Sequence, residues 1–283
     1  MEHLFLCLGP DFRLESGFSA LILTIITPVF KGAAFLQACI ENVASQWEEG
    51  IEHWIIDGGS LDGSPEILEK AAGRYSHLHY ISEPDSGQSN AMNKGIVLAK
   101  GTWISFLNVD DFYEPGALKS VLALIRKSPD ALKVLVGDLK IWNSDGSLHS
   151  VNSSRSVRLA SLIADRCEWP FNPSCYFYPK KIHDQTGLYA EKEHFAMDYD
   201  FILRISLARI PFEYHPGVWG NFRLLPTAKT SQDQSGNQSY LRAEALRDSY
   251  FKKLSIADQW MVRWLRLEWF LILKWRKFFP AEK

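Results

Sequence analysis

Cysteine is scarce in this sequence, and nothing about its placement suggests pairing. Cys7, Cys39, Cys167 and Cys175 are the only four in 283 residues, and no two stand in C-x-x-C spacing. That argues against a zinc site and a disulfide frame, and for reduced thiols in a cytoplasmic protein. No run approaches the ~18 uninterrupted apolar residues of a membrane-spanning helix. The opening MEHLFLCLGPDF leads with an acid rather than a base, so no secretory signal is expected. Positive charge is not in excess: the formal net charge is -2, which argues against a general nucleic-acid binder. There is no internal repeat and no long low-complexity tract. No G-x-G-x-x-G follows the first expected strand, and no G-x-x-x-x-G-K-[ST] occurs, so neither a dinucleotide fingerprint nor a P-loop is present.

What is present is an alternation. LILTIIT (21–27) is a continuous aliphatic run closed by Pro28, as a strand buried on both faces reads. A helix is expected over 33–45, a strand over 51–57, and a helix from Ser64, with Ser64 as N-cap and Pro65 at the first helical position. Strands at 77–82 and 102–107 follow, separated by a helix over 88–99. Pro115 opens a further helix and 132–142 a further strand. Such alternation predicts an α/β protein whose mostly parallel sheet is flanked by helices. After about residue 143 the pattern fades to the strand-like CYFYP, a helix MDYDFILRISLAR, and two short strands, FEYHP and VWGNFR. Residues 226–240 read as a polar loop, and two helices end the chain.

Open α/β sheets bind ligands beyond the carboxyl ends of their strands. Those ends carry Thr27 and Pro28, then Asp57-Gly-Gly-Ser, then Glu83 and Asp85, then Asn108, Asp110 and Asp111. An acidic crevice accepts a phosphate ligand when a divalent cation bridges the two, and hard oxygens suit Mg²⁺ or Mn²⁺. Plainer readings stand beside this one. Asp57 also suits a turn. Asp110 and Asp111 also suit the start of the following helix.

The series TIITPVFKGAAFL, WIIDGGSLDGSPEIL and ISEPDSGQSNAMNKGIVLAKGTWISFLNVDDFYEPGAL resembles the family 2 glycosyltransferases of the GT-A fold, and most of all the bacterial surface-polysaccharide members. The resemblance covers about 22–230. It implies an inverting transferase that moves a sugar from a nucleotide-diphosphate donor (UDP, GDP or dTDP) to a saccharide or lipid-linked saccharide. It implies that Thr27 and Pro28 line the nucleotide pocket and that Asp57 meets the base. Asn108-Val109-Asp110 falls on the D-x-D motif, with Asn108 toward the ribose, Asp110 on the metal and Asp111 in support or on the sugar. Asn93 and Lys94 match a block beside the diphosphate. FAMDYDFILRI resembles the motif that carries the catalytic base, with Asp198 favoured and Asp200 the alternative; a helix cap is the plain reading of Asp198. NFRLLPTAKT matches a further block at Arg223, Lys229 and Thr230, but Leu225 replaces the usual His. A non-catalytic scaffold of the same fold and a sugar nucleotidyltransferase are the competing functions.

The expected organisation is an extension (1–21), a GT-A domain (22–235, dividing at 143/144 into donor and acceptor halves) and C-terminal helices (236–283). From Lys252 onward eight basic residues face three acids, and Trp260, Trp264, Leu267, Leu271 and Trp275 share one helical face. That predicts contact between 256–279 and the inner face of the cytoplasmic membrane, with docking on protein as the alternative. The oligomeric state is left open.

Overall fold

The computed structural model describes residues 21–226 and 238–278, with backbone alone at 273 and 275–278. Residues 1–20 of the expected extension, Lys229 and Thr230 lie outside the described residues, as does the side chain of Trp275. Four parallel strands form the first half of the sheet: β1 (Leu23–Val29), β2 (Ile51–Asp57), β3 (Leu78–Ser82) and β4 (Trp103–Phe106), in the order β3-β2-β1-β4. Every residue of β1 is buried, as its unbroken apolar run requires. Alternate residues serve opposite faces. Ile55 packs with Leu36, Ile40 and Leu68 from α1 (Ala33–Ala44) and α2 (Ser64–Arg74). Ile26 and Ile56 pack with Met92 and Ile96 from α3 (Gln88–Leu98). α3 lies so close to β1 that a Cβ on Gly95 would collide with Ile26, so this position of the helix admits only glycine without displacement.

The second half is mixed. It comprises β5 (Phe112–Tyr113), α4 (Ala117–Lys127), β6 (Val134–Trp142), β7 (Leu148–Asn152), α5 (Leu159–Ala164), a 3-10 turn (Pro173–Cys175) and β8 (Tyr176–Pro179). Then come α6 (Ile182–Thr186), α7 (Met197–Leu207), β9 (Phe212–Arg223), α8 (Gln238–Phe251) and α9 (Ile256–Phe278). The sheet continues from β4 as β8-β6-β9-β5, with β7 on β6.

Several expectations need correction. Gly63, at φ +92, takes the N-cap position of α2 instead of Ser64, and Asp62 accepts from the Ser64 N–H and hydroxyl at 3.2 and 2.7 Å. FEYHP and VWGNFR are one strand, β9, whose register against β6 shifts between Tyr214 and Val218. Pro216 and Gly217 cause the two-strand reading, because both are strand breakers by composition; a bulge accommodates them. β5 and β7 were not expected: one is two residues long, and the other is mostly exposed and carries little apolar alternation. Residues 238–240 belong to α8, not to the polar loop.

Candidate functional site

The chain leaves β4 through a tight turn in which the Asp111 N–H donates to the Asn108 carbonyl at 3.0 Å. The two adjacent acids diverge. Asp111 turns inward and is 2% exposed; Asp110 stays half-buried at the crevice. Three donors hold Asp111. Asn108 Nδ2 (2.9 Å) and Asn172 Nδ2 (2.7 Å) donate to Oδ2, and the Arg223 N–H donates to Oδ1 (3.2 Å). Burial, then the Asp110 charge, nevertheless pushes the Asp111 carboxyl up to about 7. Burial also raises Asp110, opposed by its own backbone N–H and by the Arg223 guanidinium. That guanidinium lies 4.8 Å from the Phe112 ring centroid, so Arg223 stands beside the acid turn. Gln88 Nε2 reaches Asn108 Oδ1 at 3.2 Å and links α3 to the same turn.

The β1 and β2 ends supply a rigid floor. Thr27 does not present its side chain to the crevice. It is fully buried, and its hydroxyl meets His53 Nε2 at 2.9 Å within the core. His53 is lowered to about 3, by burial first and the charge of His77 second, so it is neutral there. Pro28 is buried in β1, paired with Ile56. Asp57 is fully buried and shapes its own turn: it accepts from the Ser60 N–H (3.0 Å), the Ser60 hydroxyl (2.5 Å) and the Ser82 hydroxyl (2.6 Å). Asp85 lies over Gly58, where an added Cβ would approach its carboxylate to 2.8 Å. Lys31, just beyond β1, holds a left-handed backbone at φ 54 while its N–H donates to Ser60 Oγ at 2.7 Å.

α3 contributes differently from expectation. Asn93 is buried, and its amide clamps the Tyr189 backbone: Nδ2 donates to the carbonyl at 3.0 Å and Oδ1 accepts the N–H at 2.9 Å. It joins α3 to the segment ahead of α7. Lys94 pairs with Glu83 at 2.7 Å and donates to the Pro84 carbonyl at 3.2 Å.

Glu193 accepts the Phe195 and Ala196 N–H groups (3.3 and 3.1 Å) ahead of α7. Arg242 from α8 pairs with it at 2.6 Å. Asp198 and Asp200 share the first turn of α7 but face apart. Asp200 is held by Arg204 Nε on one oxygen and the Tyr250 hydroxyl on the other, both at 2.9 Å. Asp198 is half-buried against Tyr176, Tyr178 and Tyr189, whose phenols are raised by burial with the Asp198 charge adding to it. Tyr189 in turn packs edge-on against Phe106, the last residue of β4. Ser60 belongs to the Asp57-Gly-Gly-Ser turn, but Asn172, Ser82 and Tyr189 carry no local sequence signal for these contacts. Of these three, only Asn172 has a turn signal beside it, the Asn-Pro dipeptide at 172–173.

Asp110 is the single open carboxylate of this turn, since both Asp111 oxygens are engaged. Among the described residues no three His, Cys, Asp or Glu side chains gather as a metal cage. One carboxylate fits an Mg²⁺ or Mn²⁺ ion that takes its remaining ligands from substrate phosphates and water.

Sheet, helices and acid turn together define a GT-A fold. S. aureus TarS, solved with UDP-GlcNAc, has the same fold: TM-score 0.66 at 15% identity, covering 85% of this chain and 69% of that one. The family model "Glycosyl transferase family 2" matches residues 24–185, and the chain belongs to that family. A PGL/p-HBAD biosynthesis glycosyltransferase of Mycobacterium bovis is 38% identical over 221 residues, covering 67% of this chain and 86% of that protein. The chondroitin synthase of Pasteurella multocida is 27% identical over 190 residues, covering 65% of this chain. The chain spans only 19% of that synthase's length.

Proposed function

We propose that the protein transfers a glycosyl unit, with inversion, from a nucleotide-diphosphate sugar to a hydroxyl of a saccharide or lipid-linked saccharide in surface-polysaccharide assembly. The observation that carries this reading is the divergence of Asp110 and Asp111 beside Arg223. One acid is buried and fully hydrogen-bonded, and the other stays open at the strand end. Inversion needs a base to take the acceptor hydroxyl proton as its oxygen attacks C1. Asp198, half-buried in the first turn of α7 beside Tyr176, Tyr178 and Tyr189, suits that role. Asp110 would hold the divalent ion, which when bound neutralises charge on the departing diphosphate. Arg223 beside it suits the same phosphates. Lys94 joins them by giving up an exposed pair with Glu83, and such pairs are worth only about 0–1 kcal/mol. Asn108 would face the ribose, Asp57 would act at the base end of the pocket by holding the Gly58–Ser60 turn from within rather than by touching the base, and Thr27 and Pro28 contribute strand-end backbone. A thermal-shift screen of UDP, GDP and dTDP sugars with and without Mn²⁺ tests the reading. Metal-dependent stabilisation by one of them is expected, and silence with all of them overturns it.

The same reading places the protein against the cytoplasmic membrane surface. Among the described residues no helix is long and apolar enough to cross a membrane. Yet α9 turns apolar residues outward: Ile256, Trp260, Trp264, Leu267 and Leu271 are each more than half exposed on one face. Val262 is buried on the opposite side, and Arg266 Nη2 ties the helix to the Ile163 carbonyl at 3.1 Å. Arg263 and Lys274 flank the outward stripe, and Lys252 and Lys253 precede it, all exposed. A second copy would bring these cations together, whereas an anionic bilayer complements them. Flotation with phosphatidylglycerol vesicles should be lost in W260D/W264D; retention by the variant refutes the contact.

A further inference from the structure

Away from the acid turn, a cavity of about 310 Å³ opens beside α5. Ser153, Arg155, Ser156, Arg158, Ser161 and Arg166 line it together with Cys167 and Glu168. The volume is at the small end of the usual range for ligand sites, about 300–1,000 Å³. Three arginines therefore share one wall with a single acid. Glu168 is already engaged, accepting the Ser153 N–H at 3.1 Å. Asp165, next to the cavity, is paired with Arg247 at 3.0 Å. None of Arg155, Arg158 and Arg166 forms an ion pair among the described residues. Two of them are held by aromatic rings instead: Arg155 lies 5.8 Å from the Tyr214 centroid, and Arg166 lies 4.4 Å from that of Trp269 on α9. Arg166 Nη1 donates to the Asp165 carbonyl at 2.8 Å, while its Nε is buried with no hydrogen-bond partner. A buried N–H without an acceptor and unneutralised like charges both disfavour the empty cavity. An oxyanion relieves both, and guanidinium forks with serine hydroxyls match the oxygens of a phosphate ester.

We propose that this cavity binds a phosphate group, distinct from the diphosphate of the donor. Trp269 belongs to α9, so the cavity adjoins the helix proposed to meet the membrane, and the lipid source rests on that reading. The phosphate is either carried by a lipid or free in solution, and the chemistry of recognition is shared.

The test uses the full chain and R155Q/R158Q, which changes two exposed arginines and leaves Arg166 in place. Inorganic phosphate is titrated at constant ionic strength by thermal shift. Vesicles containing phosphatidic acid are compared with phosphatidylserine vesicles of equal charge by flotation. A lipid source predicts that the wild type prefers phosphatidic acid and that the variant loses the preference. A free source predicts a saturable phosphate shift, weakened about tenfold or more in the variant by the loss of charge-assisted hydrogen bonds, with no lipid preference. A wild type with neither response, or a variant that keeps both, overturns the proposal. Stabilisation by the donor nucleotide, read in the same samples, should not differ between the two proteins, so a failure here is separable from a failure of the transferase reading.

Discussion

Asn172 Nδ2 donates to Asp111 Oδ2 at 2.7 Å across 61 positions of sequence, and this bond holds the acid turn against the 3-10 turn ahead of β8. Asn172 also accepts the Ser174 N–H at 2.9 Å, so one side chain orders the 3-10 turn and the buried carboxylate together. Replacing it by leucine leaves a buried acid short of a donor. N172L should lower stability by about 1–3 kcal/mol in urea denaturation, and it should weaken donor binding more than a surface substitution does.

Asp111 gives the fold a pH signature. Its folded carboxyl is raised to about 7, from an unfolded value of about 3.9. The native state therefore keeps a proton that the unfolded state has lost. The resulting stability is fully present below about pH 4 and is lost as pH rises toward 7. Urea midpoints should fall across this window for the wild type. D111N, which cannot titrate, should show a flatter profile over the same range. An identical slope in both proteins would assign the dependence elsewhere.

Asp110→Ala should remove Mn²⁺-dependent stabilisation by the donor nucleotide while circular dichroism and the midpoint without ligand stay near wild type. Among the described residues no side-chain hydrogen bond ties Asp110 to the rest of the fold, in contrast to Asp111. D110A with intact metal-dependent transfer would refute the assignment of the metal to this residue.

Lys31 stores backbone strain at the mouth of the crevice, since a left-handed φ of 54 disfavours a lysine by roughly 1–2 kcal/mol. Asparagine adopts that conformation more readily. Lys31→Asn should raise stability by a fraction of that cost, about 0.5–1 kcal/mol, measured by chemical denaturation. The Ser60 bond uses the backbone N–H and survives the change.

Asn93→Ala removes both bonds to the Tyr189 backbone. The segment leading to α7, and with it Asp198, then loses a tether to α3. Limited proteolysis should cut within 189–196 faster than in wild type, and activity should fall through kcat more than through the donor KM.

The parallel block is legible from local pattern alone. LTIITPV and IEHWIID are apolar on both faces, and short turns and amphipathic helices separate them, so β1 to β4 and α1 to α4 could be read with ends within a few residues. The sequence also placed the acids at the strand ends, because that follows from topology alone. What each polar group does depends on packing across the fold. Thr27 turns to His53, Asn93 to Tyr189, and Asp111 to Asn172 and Arg223. Those partners lie 26 to 112 positions away, and no local pattern encodes them. The physical reason is that burial makes an unpaired polar group costly wherever its partner sits in the chain. The packed fold therefore chose the pairings, and it left Asp110 open at the crevice while its neighbour was drawn inside.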